Sequence, residues 1–303
     1  MDKLLRKKSY IIMFLAPAFI LFTLVLIVPI ITAIYYSLCK YKVPGEPTFV
    51  GFQNYIDLFT NDPDMAIALK NSIFFMIFSC VTQLVFGLIL AALLTNIKKG
   101  RNFFKNVYYL PCVLSSAALG IMWYCVFSPR YGINKIFENL GFLDKAQNGV
   151  RWMSDTSGFI ILPIIVISCV ALWQYVGQSM MLYMAQISGI SKDIYEAASI
   201  DGCSRKQAFF RITLPLIKPM VATAMSLNAI GSLKFFDLIY SAVTNTMRQK
   251  GGKAQVLATW LYEKGFRASE YGYGCAIGVV ILVMCLLVTF LINKFVKTES
   301  YDM

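Results

Sequence analysis

Residues 190–218 read Ile190-Ser-Lys-Asp-Ile-Tyr-Glu-Ala-Ala-Ser-Ile-Asp-Gly-Cys-Ser-Arg-Lys-Gln-Ala-Phe-Phe-Arg-Ile-Thr-Leu-Pro-Leu-Ile-Lys218. The stretch is amphipathic rather than merely polar: Ile194, Ala197, Ala198 and Ile200 are followed by Ala208, Phe209, Ile212 and Leu214. Ser191 suits the N-cap of a helix running through Ser199, where its hydroxyl accepts from a free backbone N–H. Gly202 is able to take positive φ and end that helix, and Ser204 is placed to cap a second one reaching Thr213. Pro215 and Pro219 mark the start of the next apolar run. A flexible linker is rich in Gly and Ser, so this spacing predicts two short helices joined by a tight turn, a rigid projecting element.

Outward from this loop the chain is apolar. Of 303 residues 58% are hydrophobic and 15% charged, against about 25% charged in an ordinary soluble domain. A helix needs about 20 mainly apolar residues to cross a hydrocarbon core of about 30 Å. Six runs meet that need, at 10–37, 71–96, 107–127, 159–185, 216–240 and 273–295. The expected fold is an all-α integral membrane protein, a single transmembrane domain over 1–303. The first run follows Lys3, Arg6, Lys7 and Lys8 but is too long for a cleavable signal segment, so it is read as a retained helix.

Basic residues set the orientation, weighing most in short loops near membrane ends. The amino terminus, the 98–105 connection (Lys98, Lys99, Arg101, Lys105), the 190–218 loop and the tail (Lys294, Lys297) concentrate them. Both termini and the 190–218 loop are therefore expected in the cytoplasm. The net charge of +12 is this topology signal and calls for no nucleic acid. The outer connections carry turn formers, with short helices expected near Tyr55–Phe59 and over Ile133–Leu140, and an apolar-patterned segment at Val256–Tyr262. There are eight cysteines, scattered singly, and no histidine, so neither a metal site nor a disulfide framework is predicted.

The 190–218 loop resembles the EAA loop of the permease subunits of bacterial binding-protein-dependent ABC importers. The matching residues are Glu196-Ala197-Ala198, then Asp201-Gly202, then Ile212-Thr213-Leu214-Pro215. Phe49-Val50-Gly51-Phe52-Gln53-Asn54-Tyr55, Arg101 with Phe104 and Leu110-Pro111, and Phe236-Asp237-Leu238-Ile239-Tyr240 are similar to further segments of carbohydrate permeases, the maltose-permease-F-like six-span class. One departure stands after the fifth run, where Thr244-Asn245-Thr246-Met247 continues without that class's Gly-Gly-Pro. The resemblance implies the type I ABC importer permease fold, with the loop seated on a cytoplasmic ATPase. It also implies a non-catalytic subunit, a second permease in a pseudo-symmetric heterodimer, two ATPase subunits, an extracytoplasmic solute-binding protein and a carbohydrate cargo. ATP and Mg would lie on the ATPases, leaving no cofactor on this chain.

Polar side chains inside spans are costly and face the bundle or a wet cavity. Gln83, Gln174, Gln178, Asn228, Ser232 and Asp237, with the rings Trp173, Tyr175, Phe235 and Phe236, are candidates for a sugar pathway. Each equally suits bonding between helices. Lys234 and Asp237, three apart, are expected to neutralise one another. The alternative function, an ion-gradient-driven secondary transporter, needs intramembrane carboxylates, for which Asp237 alone is a candidate. An ATPase needs a G-x-x-x-x-G-K-[ST] loop, which no stretch of the chain contains.

Overall fold

Inside hydrocarbon a chain must satisfy its own backbone hydrogen bonds, so apolar runs of this length fold as helices. The structure, a computed structural model, describes residues 8–97, 99–128, 132–141, 150–153, 155, 161–243 and 252–296. The loop after Thr244, the basic residues Lys3, Arg6, Lys7, Lys98 and Lys297, and the expected start of the fourth span at 159 lie outside the described residues. Two compact units are distinguished, 1–62 with 261–280, and 63–260 with 281–303.

In the first unit, helix α1 (Lys8–Phe22) passes through a π-type turn at Thr23–Ile27 into α2 (Val28–Ser37). A two-residue hairpin follows, β1 (Cys39–Lys40) pairing antiparallel with β2 (Thr48–Phe49). The Phe49–Tyr55 segment then explains itself. Gly51 has φ +62°, turning the chain into α3 (Gln53–Ile56). From there Asn54 Nδ2 donates to the carbonyls of Ser37 and Cys39 at 2.8 and 2.9 Å. The Tyr55 hydroxyl meets Ser37 Oγ at 2.7 Å. These bonds close the carbonyl end of α2, which no further helical turn satisfies.

The second unit is built on two long helices, α4 (Pro63–Asn96) and α8 (Leu162–Ser188). At Gly87 an added Cβ would stand 3.0 Å from Ser179 Cβ and 3.1 Å from the Tyr183 ring, so the small residue sets how closely α4 and α8 approach. Between them in sequence lie α5 (Arg101–Val113), α6 (Ser116–Val126) and α7 (Ile133–Asn139). One apolar cluster gathers Phe75, Leu119, Ile164, Ile167, Leu238 and Ile239, and another Ala91, Met180, Tyr183, Ile187, Ile217 and Val221. After α8 come α9 (Lys192–Ile200), α10 (Arg205–Ala208), α11 (Leu214–Leu216), α12 (Lys218–Leu233) and α13 (Asp237–Ala242); α14 (Leu257–Tyr262) and α15 (Tyr271–Phe295) follow in the chain, their residues 261–280 belonging to the first unit.

Four helical stretches are individually long and apolar enough to cross a membrane, and six result if two bent pairs each count as one. The third and fifth runs are each broken rather than continuous helices. At 107–127 the chain bends by 93° between α5 and α6, where Pro111 lacks an N–H to donate and Leu114–Ser115 are extended. At 216–240 it bends by 67° before Lys218. It then breaks again at Lys234–Phe236, where Phe236 leaves helical geometry with φ −121° and ψ −58°.

Candidate functional site

The 190–218 loop folds through its caps. Ser191 Oγ accepts from the Asp193 N–H, and Ser204 forms a capping box with Gln207, each side chain bonding the other's backbone N–H. Gly202 sits at φ +76°, its N–H bonded to the Ser199 carbonyl at 3.1 Å and the Cys203 N–H to that of Ala198 at 2.9 Å. That pair of bonds is the Schellman closure, which needs a left-handed residue. The first helix runs one residue beyond the expected Ser199. The second, α10, continues through a π-type turn, Phe209–Thr213, into α11. Tyr195 and Thr213 hydroxyls, 2.8 Å apart, tie the two arms together.

On this scaffold Glu196, Ala197 and Asp201 are exposed and Ala198 half-buried. Ile212 and Leu214 are half-buried and Pro215 exposed, with Leu214 packed on the second apolar cluster. The apolar side chains Ile194, Ile200 and Phe210 remain uncovered, Ile200 at 87% exposure.

A second feature lies among α4, α8 and α12. Gln83, Gln178, Asn228, Ser232 and Phe235 line one cavity of about 250 Å³. Three rings wall it: Phe75 stacks on Phe235 at 5.1 Å and Tyr175 meets Phe235 edge-on at 5.9 Å. Ser179 Oγ donates to Gln83 Oε1 and accepts from Asn228 Nδ2, both at 3.3 Å, so three helices share one polar chain. Ser79 and Phe75 were missed in the sequence, and only their helical phase relative to Gln83 would have revealed them.

Four predicted pathway residues lie elsewhere. Gln174 is fully buried and donates to Ser116 Oγ at 3.0 Å and the Leu114 carbonyl at 3.4 Å, holding the α5–α6 bend. Trp173 meets Trp123 edge-on at 5.6 Å, and Phe236 stacks on Tyr240 at 4.8 Å. Asp237 opens α13 and is exposed. Among the described residues no ion pair joins Asp237 to Lys234, correcting the expected neutralisation. The helix break separates them. Each instead complements a helix dipole, Lys234 at the C-cap of α12 and Asp237 at the first turn of α13.

Residues 54–299 match the family described as "Binding-protein-dependent transport system inner membrane component". The chain belongs to that family. The permease is 34% identical over 96% of its length to the probable ABC transporter permease protein YurN of Bacillus subtilis, covering 97% of that relative. It is 30% identical to the arabinooligosaccharides permease AraP of the same organism, covering 97% of this chain and 90% of the relative. It is also 30% identical to the lactose permease LacF of Rhizobium radiobacter, over 92% and 91%. A crystal structure of a bacterial alginate ABC transporter with an alginate pentasaccharide-bound periplasmic protein contains a chain of the same fold, with a TM-score of 0.80, 23% identity and 98% coverage of both chains. The all-α integral membrane architecture expected from the sequence is thus that of the type I importer permeases, and the permease is a transport component. An ion-gradient-driven secondary transporter, the alternative reading, finds no support in these relationships.

Proposed function

We propose that this permease forms half of the translocation pathway of an ATP-driven importer for a sugar or oligosaccharide, receiving force through residues 190–218. The observation that carries the coupling role is the uncovered apolar face of a rigidly capped loop. Ile194, Ile200 and Phe210 stand exposed on an element whose two helix starts are held by the Ser191 and Ser204 caps and whose turn is closed at Gly202, as a surface seated on another subunit requires. Ala197 and Ala198 let a partner backbone approach, and Glu196 offers a carboxylate to a basic group on it. On this reading two cytoplasmic ATPase subunits bind ATP and Mg, and no cofactor resides on this chain.

The cavity supports the cargo. Amide and hydroxyl groups at Gln83, Gln178, Asn228 and Ser232 beside the rings of Phe75, Tyr175 and Phe235 match a sugar, which offers hydroxyls at its edge and C–H groups on its face. At about 250 Å³ it falls below the usual ~300–1,000 Å³ of a small-molecule site, which fits one wall of a pathway shared with a second permease. The relatives named for arabinooligosaccharides and lactose, and the alginate transporter with its loaded periplasmic protein, favour a carbohydrate and an extracytoplasmic binding protein. The bacterial cytoplasmic membrane, with both termini inside, is the matching location.

Uptake of labelled oligosaccharide by cells carrying Glu196→Lys or Gly202→Asp tests the coupling role. Membrane levels should equal wild type while uptake and ATPase co-purification are lost. Full uptake by either variant with the ATPase still attached overturns it. Uptake under an ion gradient by the purified chain alone would decide for the secondary transporter.

A further inference from the structure

A larger cavity lies at the other end of the same helices and is unused by the pathway or by the loop's outer face. Its volume is about 510 Å³, within the range of sites that enclose a small molecule. It is formed where the end of α4, the start of α5 and the end of α8 meet the inner side of the 190–218 loop. Its charged lining is of one sign: Arg101, Lys192 and Arg205 contribute side chains and no carboxylate does. The loop's own acids, Asp193, Glu196 and Asp201, are not among the lining residues. Among the described residues none of the three cations lies within an ion pair. Arg101 has one side-chain partner, the neutral Ser188 Oγ at 3.1 Å.

Three like charges gathered around one concavity repel each other and are stabilised only by an anion or by water. Neutral donors complete the lining: Thr95, Asn96, Ser188, Tyr195 and Thr213. Arg101 is also the first residue of α5, a 13-residue helix whose N-cap, Gly100, supplies no side-chain acceptor. The positive end of that helix therefore adds to the same field. Two guanidinium groups and a flexible ammonium lining one cavity suit a tetrahedral oxyanion better than a carboxylate, because Arg forks bind two phosphate oxygens and Lys supplies a point charge.

We propose that this cavity binds a phosphate-bearing anion, held by Arg101, Lys192 and Arg205 between the membrane helices and the loop. The phosphate group has two candidate sources, the phosphodiester of an anionic phospholipid or a soluble phosphate monoester. Because Arg101 lies on α5 while Lys192 and Arg205 lie on the two arms of the loop, one bound phosphate would cross-link the loop to the helix bundle.

The full-length permease, purified in detergent with whatever transporter subunits accompany it, is titrated in two arms. One arm measures phosphatidylglycerol adducts by native mass spectrometry against phosphatidylcholine. The other measures binding of inorganic phosphate and glucose 6-phosphate by calorimetry. Arg101→Gln/Lys192→Gln/Arg205→Gln should weaken the bound phosphate species at least tenfold. Lys192→Gln/Arg205→Gln, which leaves the Arg101–Ser188 contact intact, should weaken it several-fold, and Arg101→Lys/Arg205→Lys should retain most of it. Loss confined to the phosphatidylglycerol arm identifies a lipid, and loss in the calorimetric arm a soluble ester. Equal binding of every probe by wild type and the Lys192→Gln/Arg205→Gln variant, or no preference for phosphatidylglycerol together with no binding of either soluble phosphate, overturns the proposal.

Discussion

Gly177 offers the sharpest test of how the second unit is packed. A Cβ placed there would stand 2.1 Å from the Tyr108 carbonyl oxygen, 2.6 Å from its carbon and 2.9 Å from Tyr109 Cα. All three are backbone atoms of α5, so no rotamer change relieves the clash. Reaching even a tight 3.4 Å contact obliges α5 and α8 to part locally by about 1 Å or more, and overpacking of this kind costs about 1–3 kcal/mol. The upper end applies because a rigid helix, not a side chain, must yield. About 3 kcal/mol is a roughly hundredfold change in the ratio of folded to unfolded protein. The assay is reversible unfolding in mixed micelles, comparing Gly177→Ala with Gly231→Ala. Gly231 has nothing within 4 Å of an added Cβ, and in a helix alanine is favoured over glycine by about 1 kcal/mol. Gly231→Ala should therefore match or exceed wild type while Gly177→Ala falls well below it. Equal stability of Gly177→Ala and wild type would refute the close approach of α5 and α8.

Three further outcomes are expected. Asn71 Nδ2 donates to the Lys253 and Gln255 carbonyls at 2.8 and 2.7 Å, so Asn71→Ala should cost about 2–3 kcal/mol and speed proteolysis between Ala254 and Tyr262. Ser179→Ala removes the hydroxyl joining Gln83 to Asn228. It should lower stability by about 1–3 kcal/mol, read as a fall in melting temperature, and shift the apparent KM for oligosaccharide uptake. Ser204→Ala deletes a capping box at a cost of about 1 kcal/mol. Uptake should fall while the membrane level, measured by immunoblot, stays constant.

The loop was legible because its signals are local: Ser191, Gly202 and Ser204 each act within a turn of where they stand, and each does so in the structure. The apolar runs were legible because hydropathy survives any arrangement of helices. The bends were not, since hydropathy carries no direction. Pro111 marked one of them, but the break at Lys234–Phe236 has no proline or glycine to announce it. The cavity was half legible. Polarity within apolar runs points to Gln83, Gln178, Asn228 and Ser232, and all four line the cavity. It failed for Gln174, four residues from Gln178 on the same helix, because α5–α6 curls over that turn of α8 and captures its amide.

The bent pairs bear on how the chain is made. The insertion machinery weighs hydrophobicity segment by segment, and four of the helical stretches meet that demand unaided, whereas the 101–126 and 205–233 pairs meet it only when taken together. Helix α12 has 16 residues, about 24 Å at 1.5 Å per residue, short of the ~30 Å core. At its end stands Lys234, a charge that adds nothing to the apolar length of the segment. Such a segment gains its place in the bilayer by entering against helices already there, α4 and α8 above all. For the four self-sufficient stretches insertion precedes folding; for the bent pairs the two are a single event.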